Sequence, residues 1–542
     1  MKLHALRESL ARELQKKFQL PEADLPAPVF LPPPPRFNAD ISVPWAMAAA
    51  KKLKKSPAET AEKTAETASQ LEGVASAVFQ PPGFVNIKLA DSSLLTVLGN
   101  IISDPSEFAR ISPKPEGKIL LEFVSANPTG PLHMASGRGA TLGDSLVRIM
   151  RFLGYDVSAE YYINDSGRQV DLLGKSLKAR YEATEPPEDG YMGEYLIELA
   201  EKLPAGLKWK DKEFSDFAIT EILKDHKTDM TDFGVAFDRW FKESELQASD
   251  SIRHSLKKLK SMSKTYEKDG AVWFGSSVEQ SKEGKDDKDR VLVRQDGRPT
   301  YFLSDIAYHL NKFERGFARL IDIWGADHHG YVPRMKAAVE ALGQPADSFT
   351  VIIHQMVFLI KGGQAVKMSK RAGDFVSLKE LMEEVGKDAC RFFFAMRTPD
   401  SHLNFDLDLA TKQSSENPVF YVQYVHARIC SIFKNAGEKG FGHESSLSAK
   451  PASLAPEERA ILVKLLWFQE TLEACVRDLS PHHLTNYLLE LAGLFHPFYD
   501  RCKVLDDANP ERSSFRLRLC EGVRLVIASG LGLIGVCVPE SM

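Results

Sequence analysis

Cysteine is scarce in this 542-residue chain and confined to one end: Cys390, Cys430, Cys475, Cys502, Cys520 and Cys537 all lie in the C-terminal third. No two are spaced as Cys-x-x-Cys, which argues against a zinc site and a disulfide scaffold and leaves reduced core thiols as the expectation. Long apolar runs are also missing. None approaches the ~20 residues of a membrane span, and the opening Met1-Lys-Leu-His-Ala-Leu-Arg-Glu-Ser-Leu-Ala-Arg-Glu-Leu14 carries two glutamates where a secretory leader would be apolar. No excess of positive charge exists: the net formal charge is -5. A generally basic nucleic-acid binder is therefore disfavoured, although a large enzyme can carry a local basic surface. No internal repeat is evident. A cytoplasmic protein with no membrane partner and no zinc is the reading these absences support, and a monomer is the expected state.

What is present is a globular composition, 43% hydrophobic and 26% charged, with a mean hydropathy of -0.24. The length exceeds one ordinary core and implies three or four domains. Residues 1–110 read as an α+β domain: an amphipathic opening helix, the stiff extended spacer Leu31-Pro-Pro-Pro-Pro35, two helix-forming stretches (46–53 and 58–68) and the alternating strand Gly83-Phe-Val-Asn-Ile-Lys-Leu89. From 117 to 407, apolar runs such as Val291-Leu-Val293, Leu320-Ile-Asp-Ile-Trp324 and Val351-Ile-Ile353 alternate with helical stretches. This predicts a Rossmann-like, doubly wound α/β domain with a charged helical insertion over about 180–290. From 408 to 542 helical periodicity predominates, predicting an all-α bundle. The whole is a multidomain α/β protein. Basic clusters at 51–55, 257–260 and 512–524 are candidates for phosphate contact, but solvated helix faces are the plainer reading.

Two segments carry the chemistry. Ser125-Ala-Asn-Pro-Thr-Gly-Pro-Leu-His-Met-Ala-Ser-Gly-Arg-Gly139 follows the strand-like Ile119-Leu-Leu-Glu-Phe-Val124 and precedes a helical run. A strand, a Gly-rich turn and a helix N-terminus form a setting for phosphates, because the first turn of a helix leaves N–H groups unpaired at its positive end. Val366-Lys-Met-Ser-Lys-Arg-Ala-Gly373 places Lys367, Lys370 and Arg371 on a loop with Gly362-Gly363 before it. Such cations can neutralise charge that develops during phosphoryl or adenylyl transfer. Either string alone is weak, a solvated loop being the usual meaning of the second.

Their order resembles the class I aminoacyl-tRNA synthetases. Ser125-Ala-Asn-Pro-Thr-Gly-Pro-Leu-His133, Tyr162-Ile-Asn-Asp-Ser-Gly-Arg-Gln169, Thr300-Tyr-Phe-Leu-Ser-Asp-Ile-Ala-Tyr-His309 and Trp324-Gly-Ala-Asp-His-His-Gly-Tyr331 narrow the resemblance to the arginyl-tRNA synthetases. Gly83-Phe-Val-Asn-Ile87, the stretch Asn417–Arg428 and the terminal Val538-Pro-Glu-Ser-Met542 extend it over nearly the whole chain. The resemblance implies an arginine–tRNA ligase that uses ATP with Mg2+, forms arginyl-adenylate and passes arginine to its tRNA. It also implies that tRNA must be bound before the amino acid is activated.

By the same resemblance His133, Lys367 and Lys370 are the catalytic residues. ATP is expected against Pro128, Gly130, His133, Ser136, Gly137, Asp327, His328, Lys367, Met368, Ser369 and Lys370. Arginine falls to Glu122, Ser125, Asn127, His133, Tyr301, Asp305 and Gln355. A selective pocket for a planar cation needs carboxylates, and Asp305 is the first choice, with Tyr301 four residues before it on the same helical face. The plainer alternatives are a helix cap for Asp305 and a capping or surface role for His133. Asp327, His328 and His329 lack a third ligand at fixed spacing and make a poor metal site. Tyr421, Tyr424, His426 and Arg428 are candidates for tRNA bases, with core packing as the alternative.

One departure stands out: the class pattern His-x-Gly-His is here His133-Met134-Ala135-Ser136. The added methyl costs ~1–3 kcal/mol where nothing relaxes, and one lost transition-state hydrogen bond costs roughly 3 kcal/mol. A tRNA-binding paralogue with impaired activation is the resulting alternative.

Overall fold

The computed structural model describes residues 2–19, 25–34, 36–111, 117–275, 289–366, 376–441 and 451–542. The opening helix Leu3–Phe18 buries Leu3, Leu6, Leu10 and Leu14, one stripe at helical spacing. It lies with the helices Trp45–Leu53 and Pro57–Ser69 beside a three-stranded antiparallel sheet of β1 (Ile41–Val43), β2 (Val74–Gln80) and β3 (Phe84–Leu89), in the order β1-β3-β2. The Ser56 hydroxyl starts the third helix by accepting from the Glu59 N–H at 3.1 Å.

The central sheet is built from β4 (Lys118–Glu122), β5 (Asp156–Ile163), β6 (Arg239–Lys242), β10 (Phe317–Gly325) and β11 (Phe349–His354), ordered β11-β10-β4-β5-β6 and parallel throughout. Ile119, Leu120, Leu121, Leu320, Ile321 and Ile323 are buried without alternation, as strands covered on both faces require. The chain leaves β4 through the helix Met134–Leu153 toward β5 on one side and later returns to β10 on the other. A crevice therefore opens above the carboxyl ends of β4 and β10, where open α/β sheets bind ligands.

The insertion differs from the expected helical stretch over 180–290. After the helices Tyr195–Glu201 and Asp211–Asp232 the chain rejoins the parallel sheet as its edge strand β6. Two further helices, Glu243–Ala248 and Ser251–Ser261, lead to a separate antiparallel sheet of β7 (Thr265–Lys268), β8 (Ala271–Phe274) and β9 (Arg290–Val293). Val291–Val293, expected among the parallel strands, thus belongs to this small sheet. β6 is short, charged and half-exposed, so neither an apolar run nor alternation marks it. A last sheet joins β12 (Val357–Lys361), β13 (Gln364–Ala365) and β14 (Leu403–Asp406).

Among the described residues no strand follows Asp406. The helices Pro418–Glu438, Pro456–Leu466, Phe468–Arg477, His482–Arg501 and Pro510–Leu533 form a bundle against which the N-terminal unit packs. Arg459 ties the two, donating to Asp40 Oδ2 at 2.6 Å and the Leu89 carbonyl at 3.0 Å and pairing with Asp91. Three of the four arginines of 512–524 are consumed similarly: Arg512 and Arg516 both pair with the fully buried Glu458, and Arg524 with Glu521, so these three serve packing rather than a phosphate surface. No helix among the described residues is long and apolar enough to cross a membrane.

Candidate active site

The turn leaving β4 is strained. Val124 and Ser125 have φ of 69° and 40°, a region that non-glycine residues rarely occupy unless their surroundings impose it. Those surroundings are explicit. Ser125 Oγ donates to Glu122 Oε1 at 2.8 Å and accepts from the Tyr162 N–H at 3.1 Å. Further along, Tyr161 Oη donates to the Ala126 carbonyl at 3.1 Å, Tyr195 Oη to that of Thr129 at 2.6 Å, and His226 Nε2 to that of Gly130 at 2.7 Å. Asn127 Nδ2 donates to Gln169 Oε1 at 2.9 Å, and Pro128 is buried. The loop is thereby delivered in one shape to the start of the helix Met134–Leu153.

His133 caps that helix. Its Nδ1 accepts from the Ala135 N–H at 3.1 Å, which leaves the proton of a neutral ring on Nε2. Ala135 and Ser136 occupy the half-buried first turn. Gly137 does not open toward it: a Cβ there would stand 2.6 Å from Leu378 Cδ1 and 3.1 Å from Phe394. Its missing side chain lets the helix seat on the core. Arg138, fully buried, donates to the carbonyls of Gln355 (2.7 Å), Thr398 (2.9 Å) and Ser401 (2.8 Å). Gln355 is thus fixed through its main chain where β11 ends. Beside it, burial and the Arg138 charge push His354 down to about 4, so that ring is neutral.

Next to this turn lies an acidic pocket. Asp305 is the fifth residue of the helix Tyr301–Glu314, whose N-cap is Thr300, so the capping role is excluded. It accepts a short hydrogen bond from Tyr331 Oη, and burial raises its carboxyl above the usual range. Tyr301, one turn earlier, is 61% exposed at the rim. The Tyr162 phenol lies within reach of the charges of Glu243, Asp305, Glu122 and Asp165, which together with burial raise it well above its ordinary value. Glu243 is buried and also raised, first by burial. Beneath, Lys312 Nζ, with no exposed surface, donates to Glu122 Oε2 at 2.5 Å and Asp322 Oδ1 at 2.9 Å, while His309 Nε2 stands 3.0 Å from Asp322 Oδ2. Glu122, expected at the ligand, has its two oxygens engaged by Lys312 and Ser125. Tyr162, Tyr331, Glu243 and Lys312 were not assigned from sequence. The first two lie inside strings already noted, whereas nothing local distinguishes the others.

Asp327, His328 and His329 follow β10 in a short 3-10 segment and are exposed, with His328 3.5 Å from Asp327. Among the described residues no cluster suits a metal ion. Lys367, Met368, Ser369 and Lys370 lie outside the described residues. The hairpin just before them turns through Gly362 and Gly363, with φ of 58° and 73°, the primed geometry that glycine permits. Asp408 accepts from the Gly362 N–H at 2.6 Å and pins that turn.

In the bundle, Tyr421, Tyr424 and Arg428 share a half-exposed face of the helix Pro418–Glu438. The rings of Tyr421 and Tyr424 lie 4.8 and 6.2 Å from His496, and the Arg428 guanidinium lies 5.8 Å above Tyr424 and 4.8 Å above Tyr499. His426 is not on it. Buried, with Nδ1 2.9 Å from the Pro539 carbonyl, it holds the C-terminal tail.

Comparison with known proteins gives three successive matches: "Arginyl tRNA synthetase N terminal domain" over residues 4–89, "tRNA synthetases class I (R), catalytic domain" over 98–400 and "DALR anticodon binding domain" over 422–542. A protein of Elusimicrobium minutum named arginine–tRNA ligase is 55% identical over 521 residues, 96% of this chain and 96% of that relative. One of Desulforamulus reducens with the same name is 42% identical over 563 residues, 99% of each. The solved Thermus thermophilus arginyl-tRNA synthetase superposes with a TM-score of 0.81, covering 100% of both chains at 23% identity, a likeness of fold.

Proposed function

The chain belongs to the arginyl-tRNA synthetases, and on that premise we propose how its residues divide the ATP-dependent charging of tRNA with arginine. The relatives compared above are named as ligases, so the binding-only alternative gains no support. The observation that carries the assignment is the acidic pocket beside the strained turn. Asp305 receives the guanidinium, helped by Tyr301 at the rim and by the negative field of Glu243 and Asp165 around Tyr162. Bidentate pairing of a planar cation with a carboxylate supports this choice. Ser125, Asn127 and Gln355 line the side where the α-ammonium and carboxylate lie, and Glu122 acts there through Ser125.

The adenosine triphosphate lies across the start of the helix Met134–Leu153, near Pro128, Gly130, His133 and Ser136, with Asp327 and His328 on its nucleoside side. Magnesium arrives with the triphosphate as part of that substrate. The arginine carboxylate attacks the α-phosphorus, pyrophosphate leaves, and the adenylate then yields arginine to the terminal ribose of tRNA. No protein nucleophile is required. Positioning and charge stabilisation by the Nε2–H of His133, with Lys367 and Lys370, lower the barrier. Tyr421, Tyr424 and Arg428 face the anticodon, while His426 positions the tail behind them. The three units, 1–110, 117–407 and 408–542, grip tRNA, catalyse and read the anticodon. Free thiols, four of the six buried, and the lack of a membrane-length helix among the described residues support a cytoplasmic site of action, and light scattering decides whether the chain is a monomer.

Arginine-dependent exchange of pyrophosphate into ATP tests the reaction. Exchange is expected only when tRNA is present. Its absence under both conditions with tRNA binding intact would restore the paralogue. The double variant Ala135→Gly with Ser136→His should raise kcat, up to about 100-fold if the second imidazole reaches the phosphates, and an unchanged rate would mean that the altered motif is already compensated. For the anticodon face, Tyr424→Ala should raise the KM for tRNA several-fold and leave that for ATP alone. An unchanged tRNA dependence would return Tyr424 to simple packing.

A further inference from the structure

Beyond the acidic pocket the sheet ends at its edge strand β6, and a groove of about 590 Å³ runs between that edge and the helix Asp211–Asp232. One face of this helix presents Thr220, Lys224, Lys227, Thr228 and Thr231, all exposed, and β6 adds Lys242 opposite them. The spacing i, i+4, i+7, i+8, i+11 is a single helical stripe. Of the seven carboxylates on this helix, Asp211 and Glu221 pair with Lys178 and Lys202, Asp229 lies within reach of Lys379, and Asp232 lines the groove. Two carboxylates line the groove, Asp165 and Asp232, and Asp165 is already engaged by the N–H and hydroxyl of Ser244 at 2.9 and 2.7 Å. Trp240 lies on the floor, stacked on Tyr161 at 4.3 Å, and the Lys227 ammonium lies 5.3 Å from its ring. That ring is therefore covered, and the groove offers cations rather than a base-stacking platform. Among the described residues no carboxylate forms a salt bridge with Lys224, Lys227 or Lys242.

We propose that this groove holds the phosphodiester backbone of the single-stranded 3′ end of tRNA and leads it past Asp165 to the arginine pocket. Three features select this occupant, given the charging reaction proposed above. Lysines without a salt-bridge partner among the described residues suit phosphate oxygens, while the hydroxyls of Thr220, Thr228 and Thr231 donate to the carbonyls of Asp216, Lys224 and Lys227 and leave the contact to the cations. The absence of a free aromatic face suits contacts that ignore base identity. Ile163 and Asp165, at the carboxyl end of β5, line the groove, and Asp165 also reaches Tyr162 and Glu243 of the pocket, so groove and pocket share a wall.

The test uses the full chain, the triple variant Lys224→Glu, Lys227→Glu, Lys242→Glu and its counterpart with arginine at the same three positions. Charging kinetics and direct binding are measured with intact tRNA, and binding also with tRNA lacking its four 3′-terminal nucleotides. The glutamate variant should raise the KM for tRNA by about tenfold or more, leave those for arginine and ATP within about twofold, and flatten the log–log salt dependence by about two, three lost contacts at 0.7 each. The arginine variant should behave as the wild type, and the truncated tRNA should bind all three proteins alike. An unchanged KM for tRNA, or equal weakening toward the truncated tRNA, would overturn the proposal. A wild-type chain that binds tRNA without charging it would sink the charging reaction instead, and the binding comparison would still score the groove.

Discussion

Lys312→Met should destabilise the chain by roughly 3–5 kcal/mol, the usual cost of removing one partner from a buried ion pair, and should raise the KM for arginine. Lys312 has no exposed surface and bridges Glu122 on β4 to Asp322 on β10. Burial alone would lower its pKa, but the attraction of Asp322, Glu122 and Glu160 outweighs burial and holds it above the ordinary lysine value. A cation with a raised folded-state pKa contributes its stability at all pH values below the unfolded pKa, about 10.4, so the loss should persist across the neutral range. Methionine leaves two carboxylates facing each other in a dry site. Restoring apolarity at both ends, as in Lys312→Met with Asp322→Leu, should recover part of the loss, because replacing a whole buried pair is often neutral. The functional effect travels through Glu122, whose other oxygen holds Ser125 and with it the strained turn. Unchanged unfolding midpoints in urea and an unchanged arginine KM would remove Lys312 from this account.

That lysine also explains where sequence reasoning stops. In Tyr301–Glu314 it reads as one more cation on an amphipathic helix, and its partners sit on two different strands, one of them far away in the chain. Strand, turn and helix around His133 were legible because their signals are local: an apolar run, a Gly-rich turn, then helical periodicity. The helix begins at Met134, at the cap that an isolated histidine suggests. The purpose of Gly137 was not legible, since Leu378 and Phe394 reach it from distant segments. Gly143 was passed over for the same reason, although a Cβ there would stand 2.2 Å from Phe123. β6 has four residues, three of them charged or half-exposed, and only its pairing with β5 makes it a strand. His426 and Tyr424 are both aromatic residues on the same helix, yet a two-residue step turns one into the bundle and the other outward. Pattern thus located the elements of the candidate site, while the second layer of charges behind it came from packing.

Asp305→Ala should lower kcat/KM for arginine by roughly 10²–10⁴-fold, matching the 3–5 kcal/mol of a charge left without its partner in a desolvated site. Asp305→Asn separates charge from shape. It keeps an oxygen for Tyr331 and loses the anion, so discrimination between arginine and its neutral urea isostere citrulline should collapse even where binding of the α-groups persists. Acid should mimic this variant. Burial raises the Asp305 carboxyl above the usual carboxylate range, with Tyr331 opposing it. A raised folded-state pKa makes the empty pocket favour the protonated acid, whereas the guanidinium pairs with the carboxylate. Arginine use should therefore fall as pH drops through that raised pKa, at a higher pH than an exposed aspartate would give, and arginine binding near that pH should release a proton. In Asp305→Asn that acidic limb should vanish. Near-normal arginine kinetics in the alanine variant, or an acidic limb that survives in the asparagine variant, would place the guanidinium on Glu243 instead, the other buried carboxylate facing Tyr162.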